Sequence, residues 1–136
     1  MQNPYEKYRS NTVFTAPQEE LTLMLYEGAL KFCNQAMVAL EQEDLEKTSN
    51  YICKTQEILR EFQITLDRNQ EISGQLNALY DYLLYRLTQA NIRKDLKMLE
   101  EARLHLRSLR DTWKEAMKLA KQGPAAANTA RTRVQV

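Results

Sequence analysis

An all-α fold, an antiparallel up-down-up-down four-helix bundle, follows from three observations on the 136-residue sequence. Four long stretches repeat apolar residues at alternating steps of three and four, which gathers them on one side of a helix. Only three glycines and three prolines are present, too few to turn a set of β-hairpins. The links between the stretches are a few residues each, so consecutive helices must run antiparallel.

The first helix is expected over about 17–42. Thr15 and Gln18 match a capping box, Pro17 fits a first turn, and Glu19 and Glu20 meet the positive end of the helix dipole. Its stripe is Leu23, Tyr26, Leu30, Cys33, Met37 and Leu40. Asp44 caps a second helix, about 45–66, striped by Leu45, Thr48, Ile52, Thr55, Leu59, Phe62 and Leu66. A polar turn, Asp67-Arg68-Asn69-Gln70, follows, with Asn69 as cap of a third helix over about 70–91. That helix presents Ile72, Leu76, Leu79, Leu83, Leu87 and Ala90. The fourth, about 95–121, carries Leu99, Ala102, Leu106, Leu109, Trp113 and Ala116, and Gly123-Pro124 stops it. At about 1.5 Å per residue the four helices have closely matched lengths.

Two segments fall outside this bundle. Residues 1–16 are polar but contain Tyr5, Tyr8, Val13 and Phe14. Residues 122–136 have no large anchor before Val134 and read as a disordered tail. The start of the chain has no apolar signal segment, and no apolar run is long enough for membrane insertion. Cys33 and Cys53 are too few for a disulfide scaffold and lack metal-ligand spacing, which suits a reducing, cytoplasmic location. The net charge of +1 conceals an asymmetry: residues 1–92 carry −5 and residues 93–121 carry +4. A basic last helix suits an acidic partner or nucleic acid, but pairing with the acidic first three helices is the simpler reading.

The apolar surface exceeds what one stripe per helix requires. The first helix adds a second row, Leu21, Leu25, Ala29, Phe32 and Ala36. The second adds Tyr51, Ile58 and Ile64; the third adds Tyr80, Leu84 and Tyr85, with Tyr82 on yet another side. For any single residue the core is the simpler destination. For the set, spread over three helices, a groove accepting a partner helix or a self-dimer surface is expected. Seven tyrosines against three phenylalanines favour a half-open groove, since a phenol wants an apolar wall and a polar tip. The residues expected to meet a partner are Leu25 and Tyr26 in the first helix, and Ile58 and Phe62 in the second. Tyr80, Tyr82, Leu84 and Tyr85 complete the set in the third.

Catalytic chemistry is missing from the pattern. His105 is the only histidine, which removes paired imidazoles, and its sequel Leu106-Arg107-Ser108-Leu109 does not match a phosphorelay domain. Glu101 and His105 are four apart and occur once, so a di-iron bundle fails. Gly28, Gly74 and Gly123 are isolated and form no phosphate loop. No cofactor, no metal and no enzyme activity are expected. Arg103, Arg107, Arg110, Lys114 and Lys118 line one side of the last helix, but Asp111 and Glu115 interrupt them at ion-pairing spacing. A solvated or protein-facing side is expected there, with no nucleic acid.

Four motifs in order carry a family resemblance. They are Asn3-Pro4-Tyr5 with Tyr8; Thr15-Ala16-Pro17-Gln18-Glu19-Glu20-Leu21-Thr22-Leu23-Met24-Leu25-Tyr26-Glu27-Gly28; Leu79-Tyr80-Asp81-Tyr82 with Arg86-Leu87 and Ala90-Asn91; and Arg110-Asp111-Thr112-Trp113. From about residue 3 to 118 the chain resembles the flagellar secretion chaperone family FliS. One departure is that Pro17 stands one place earlier than the family's Thr-Ala-Ser/Thr-Pro order, which touches only the first turn of the first helix.

The resemblance implies an ATP-independent export chaperone. It would bind the C-terminal segment of flagellin, disordered in the monomer, prevent premature polymerisation and support delivery to the flagellar type III export gate. It also implies that the N-terminal segment fills the groove when the client is absent, which suits Tyr5, Tyr8, Val13 and Phe14. The energetics agree: ordering a disordered client costs about 2–5 kcal/mol, and each buried Leu or Phe anchor returns about 1.5–3 kcal/mol. Several anchors along a groove therefore suffice. The alternative is a homodimeric helical scaffold, in which the same surplus rows pair with a second copy.

Overall fold

The computed structural model describes residues 18–121, and every regular element among them is helical. Helix α1 is Gln18–Glu41, α2 Leu45–Thr65, α3 Ser73–Arg93 and α4 Leu96–Lys121. Helix α1 packs on α2 and α4, and α3 packs on the same two, so α1 and α3 lie on one diagonal of a square and α2 and α4 on the other. This is the expected antiparallel four-helix bundle. Tyr5, Tyr8, Val13, Thr15, Pro17 and the Gly123-Pro124 stop lie outside the described residues. No described helix is long and apolar enough to cross a membrane.

Local chemistry sets the helix ends. The Asp44 carboxylate accepts the Lys47 N–H at 3.1 Å, the cap that its position implies. Before it, the Glu43 N–H reaches the Leu40 carbonyl at 3.0 Å and the Asp44 N–H the Ala39 carbonyl at 2.9 Å. That pairing ends α1 in a left-handed residue, Glu43 at φ 60°. Lys94, at φ 50°, does the same for α3, and Asp95 then caps α4 by accepting the Lys97 N–H at 2.9 Å.

The start of α3 differs from the expectation. Asn69 is not its cap: the Asp67 carboxylate accepts the Asn69 N–H at 3.0 Å within a turn over 67–70, and the cap position falls at Ile72, which makes no side-chain cap bond. The Gln70 N–H then donates to the Asp67 carbonyl at 3.2 Å, and the Ser73 hydroxyl reaches that same carbonyl. The helix therefore begins at Ser73, three residues beyond the expected 70.

The middle of the core is aliphatic, with Ile52, Ile58, Leu59, Leu83, Leu87, Leu99 and Leu106 fully buried around Ala29, Ala36, Ala90 and Ala102. Thr48 and Thr55, polar members of the α2 stripe, are also fully buried. Their hydroxyls return to carbonyls four residues earlier, Asp44 at 2.8 Å and Tyr51 at 2.9 Å, so they pack as β-branched apolar groups. Cys33 points its thiol at the Leu99 carbonyl, 3.6 Å away, and burial pushes that thiol up to about 12.

Aromatic rings fill the end of the bundle where α1 and α3 begin. Tyr26 stacks on Phe62 at 4.4 Å between centroids, Phe62 on Tyr80 at 5.7 Å, and Trp113 tilts against Tyr26 at 6.5 Å. Each helix supplies one ring. The Tyr26 and Tyr80 hydroxyls share one hydrogen bond of 2.8 Å across the core, and burial raises both phenols. The Trp113 indole N–H donates to the Glu19 carbonyl at 2.8 Å, tying the last turns of α4 to the first of α1.

A double-mutant cycle checks the shared hydroxyl bond. Tyr26→Phe or Tyr80→Phe alone should each cost about 1–3 kcal/mol, because each strands the other hydroxyl in the core. The pair together should cost clearly less than the two losses added. Urea unfolding of the four proteins measures the coupling, and strict additivity would mean that the hydroxyls do not depend on each other.

Candidate functional site

Burial separates the residues expected at a docking surface. Leu25, Tyr26, Ile58, Phe62 and Tyr80 are 0–7% exposed and belong to the core, so the expectation that they meet a partner is corrected. The reason is geometric. A helix in a ring of four touches two neighbours and buries two adjacent rows, so the second row of α1, including Leu21, Ala29 and Ala36, is ordinary core. Leu84 is half-buried in the α2–α3 seam. Tyr82 and Tyr85 are 43% and 60% exposed, as a docking surface requires.

Those two tyrosines lie on a longer row. Ala78, Tyr82, Tyr85, Gln89 and Ile92 step four, three, four and three along the outer side of α3, and Ile92 is 71% exposed. Ile92 was legible by the same spacing, seven residues beyond Tyr85, but the expected helix end at 91 excluded it. Leu104, also exposed on α4, has no companion at helical spacing that would have marked it.

Polar contacts border this row on both sides. Toward α2, the Gln63 amide donates to Asp81 at 2.7 Å, and the buried Gln56 amide donates to the Thr88 hydroxyl at 2.9 Å and the Leu84 carbonyl at 3.3 Å. Farther along, the Ser49 hydroxyl donates to the Asn91 side-chain oxygen at 2.8 Å, and the Lys94 ammonium donates to both Asn91 and Ser49. Toward α4, the Tyr82 hydroxyl donates to Glu101 Oε1 and the Arg86 guanidinium donates to Glu101 Oε2 at 2.6 Å. His105 sits edge-on to the Tyr82 ring, 5.9 Å between centroids. An apolar strip with a polar rim is the anatomy of a protein-binding surface.

The rim on the α4 side has a definite electrostatic character. The hydrogen bonds from Tyr82 and then Arg86 hold the Glu101 carboxyl below the usual carboxylate range. The same bond from Tyr82 raises its phenol, and Glu101 raises the Arg86 guanidinium. His105 therefore sits beside a hydrogen-bonded carboxylate and an aromatic edge, with no nucleophile among its contacts. Among the described residues no group of three His, Cys, Asp or Glu is placed to hold a metal ion.

The sequence motifs divide their work between core and rim. In the third-helix motif Tyr80, Leu87 and Ala90 face the core, Asp81 and Asn91 bond to α2, and Tyr82 and Arg86 bond to α4. In the last motif Arg110 pairs with Asp111 at 3.0 Å while Trp113 joins α1. Within the expected basic stripe, Arg103 donates to the Asn34 side chain at 3.3 Å, so it serves the α1–α4 seam.

The lowered Glu101 carboxyl fixes the sign of a pH effect. Its folded value lies below its unfolded one, so its contribution is present above the ordinary carboxylate range and is lost as pH falls through the folded value. Urea unfolding of the wild type and Glu101→Gln at stepped pH should show a small stability gap at pH 7 that closes under acid. A gap that widens on acidification would contradict the assignment.

The chain matches the model of the family described as flagellar protein FliS over residues 1–120. It is 46% identical over 117 residues to the flagellar secretion chaperone FliS of Bacillus subtilis, covering 86% of this chain and 88% of that one. The Escherichia coli FliS is 30% identical over 110 residues, covering 79% and 81%, and the Campylobacter jejuni FliS 32% over 119, covering 85% and 93%. In fold it is similar to a crystal structure of a bacterial flagellar chaperone, with a TM-score of 0.70 at 18% identity, covering 84% and 94%. With a family match of that extent over a four-helix bundle, the chain belongs to the FliS family of flagellar secretion chaperones.

Proposed function

We propose that this chaperone binds the C-terminal segment of flagellin along the outer row of α3, in the cytoplasm and without nucleotide. The observation that carries the reading is the row itself: Tyr82, Tyr85 and Ile92 stay exposed in a bundle whose other large apolar α3 side chains are buried or half-buried. The relatives bear the name of flagellar secretion chaperone, and a secretion client must be kept from assembling before export.

A disordered segment that folds into a helix on this row would set anchors at i, i+3 and i+7 against the tyrosine rings and Ile92. The polar borders on α2 and α4 suit the rim of such a contact, where a client's polar side chains remain wet. Covered in this way, the segment is withheld from its neighbours in a filament. Release at the export apparatus completes the role, with export-gate components as the second partner. Residues 1–16, with Tyr5, Tyr8 and Val13, are the intramolecular occupant of the row when the client is absent. A homodimer joined through the same exposed row is the competing reading, and light scattering with added client separates the two.

Binding is tested by titrating the protein with flagellin and with flagellin lacking its C-terminal segment. Only the first should bind, and equal binding to both would sink the reading. Tyr85→Asp and Ile92→Asp should each weaken binding about tenfold or more, since one lost anchor is worth about 1.5–3 kcal/mol. Their circular dichroism should match the wild type, because both side chains are exposed.

Deleting residues 1–14 should alter client affinity and the hydrogen exchange of α3. If neither changes, the N-terminal segment does not share the client's surface.

A further inference from the structure

We propose that Glu101 is a positioning residue for client docking, holding the Tyr82 ring and the Arg86 guanidinium in the arrangement that shapes the α4 border of the α3 row. The inference rests on the reading of that row as the docking surface. It concerns how the surface is made ready before a client arrives.

The geometry is a two-by-two bracket. Tyr82 and Arg86 are one turn apart on α3, and Glu101 and His105 are one turn apart on α4. Each oxygen of the single carboxylate accepts from a different α3 side chain, Oε1 from the Tyr82 hydroxyl and Oε2 from Arg86 at 2.6 Å. His105 closes on the Tyr82 ring at an interplanar angle of 83°. A half-exposed tyrosine would otherwise exchange rotamers freely, so its fixed ring depends on the far end of the phenol being held. Arg86 depends on Glu101 more strongly still. Its Nε is buried without a partner, and among the described residues Glu101 is its only hydrogen-bond acceptor.

Stability does not account for the bracket. The α3–α4 seam is already closed by Leu83, Leu87, Ala102 and Leu106, all fully buried. A partly exposed ion pair, its side chains 26% and 31% accessible, adds little to that. What the bracket does change is the freedom of two side chains on the row's border. Binding loses affinity for every flexible side chain that it must immobilise, and side chains already held escape that loss. A carboxylate suits the task because it accepts on both oxygens, whereas a glutamine amide has one acceptor oxygen for the two donors.

The test uses the full chain and a peptide spanning the C-terminal segment of flagellin. Glu101→Ala should weaken peptide binding about tenfold. Tyr82→Phe, which keeps the ring and removes only the hydroxyl, should weaken it several-fold. The double variant should bind no more weakly than Glu101→Ala, since the hydroxyl acts only through the carboxylate. In the free protein, side-chain couplings should report one Tyr82 χ1 rotamer in the wild type and averaging in Glu101→Ala, with little change in melting temperature. Wild-type affinity in Glu101→Ala, or losses that add in the double variant, would overturn the proposal while the docking surface stands. A wild-type chain that does not take the peptide brings down both.

Discussion

Tyr26, Phe62, Tyr80 and Trp113 meet at one end of the bundle, one ring from each helix, and the square of helices is organised around that meeting. Helices α1 and α3 stand on opposite corners and their backbones do not approach. Only long side chains can join them, and the Tyr26–Tyr80 hydroxyl bond at 2.8 Å does so through the middle of the core. Phe62 stacks between them from α2, and Trp113 closes the fourth side while its indole N–H reaches the Glu19 carbonyl. A phenylalanine at either tyrosine position would fill similar space but could not satisfy the other hydroxyl. Below this layer the core is built from leucines, isoleucines and alanines, whose smaller reach lets neighbouring helices pack without bridging the diagonal.

With Tyr80 committed to the core, the rest of α3 is oriented. Leu83, Leu87 and Ala90 follow it inward, and Tyr82, Tyr85 and Ile92 are left outside. The polar side chains between these faces do not scatter into solvent; they bond sideways to α2 and α4. The result is a helix held by its edges, with an outer apolar row that nothing among the described residues covers. In the proposed reading, such a row takes up an unfolded client without opening the bundle's own core.

The fold was largely legible from spacing, because each helix repeats apolar residues over many turns and the intervening links are short. Asp44 was readable as a cap for the same reason: its carboxylate sits just ahead of a long periodic run. Asn69 misled because Asp67, two residues earlier, organises a turn that carries the helix start on to Ser73, and one sequence does not show which of two turn-forming side chains prevails. At the candidate site, spacing marked Tyr82 and Tyr85 as lying off the stripe but could not tell them from Tyr80. The difference depends on how many neighbours each helix has, which is a property of the assembled square. The Glu101 bracket was hidden for a related reason. Tyr82 and Arg86 are separated from Glu101 by a turn and a reversal of chain direction, so no local pattern joins them.

The seam between α1 and α4 brings together the most distant parts of the described chain. Every other packed pair of helices is consecutive in sequence and can form as a hairpin, with little loop entropy to overcome. The last helix must find the first across two intervening ones, and it is fastened there by three side-chain bonds: Trp113 to Glu19, Cys33 to Leu99 and Arg103 to Asn34. The final helix therefore carries the one helix contact in the bundle that closes a long stretch of chain. Its opposite border holds Glu101, which accepts from Tyr82 and Arg86 of α3. One helix thus serves two seams at once, fastening the start of the chain on one side and shaping the border of the α3 row on the other.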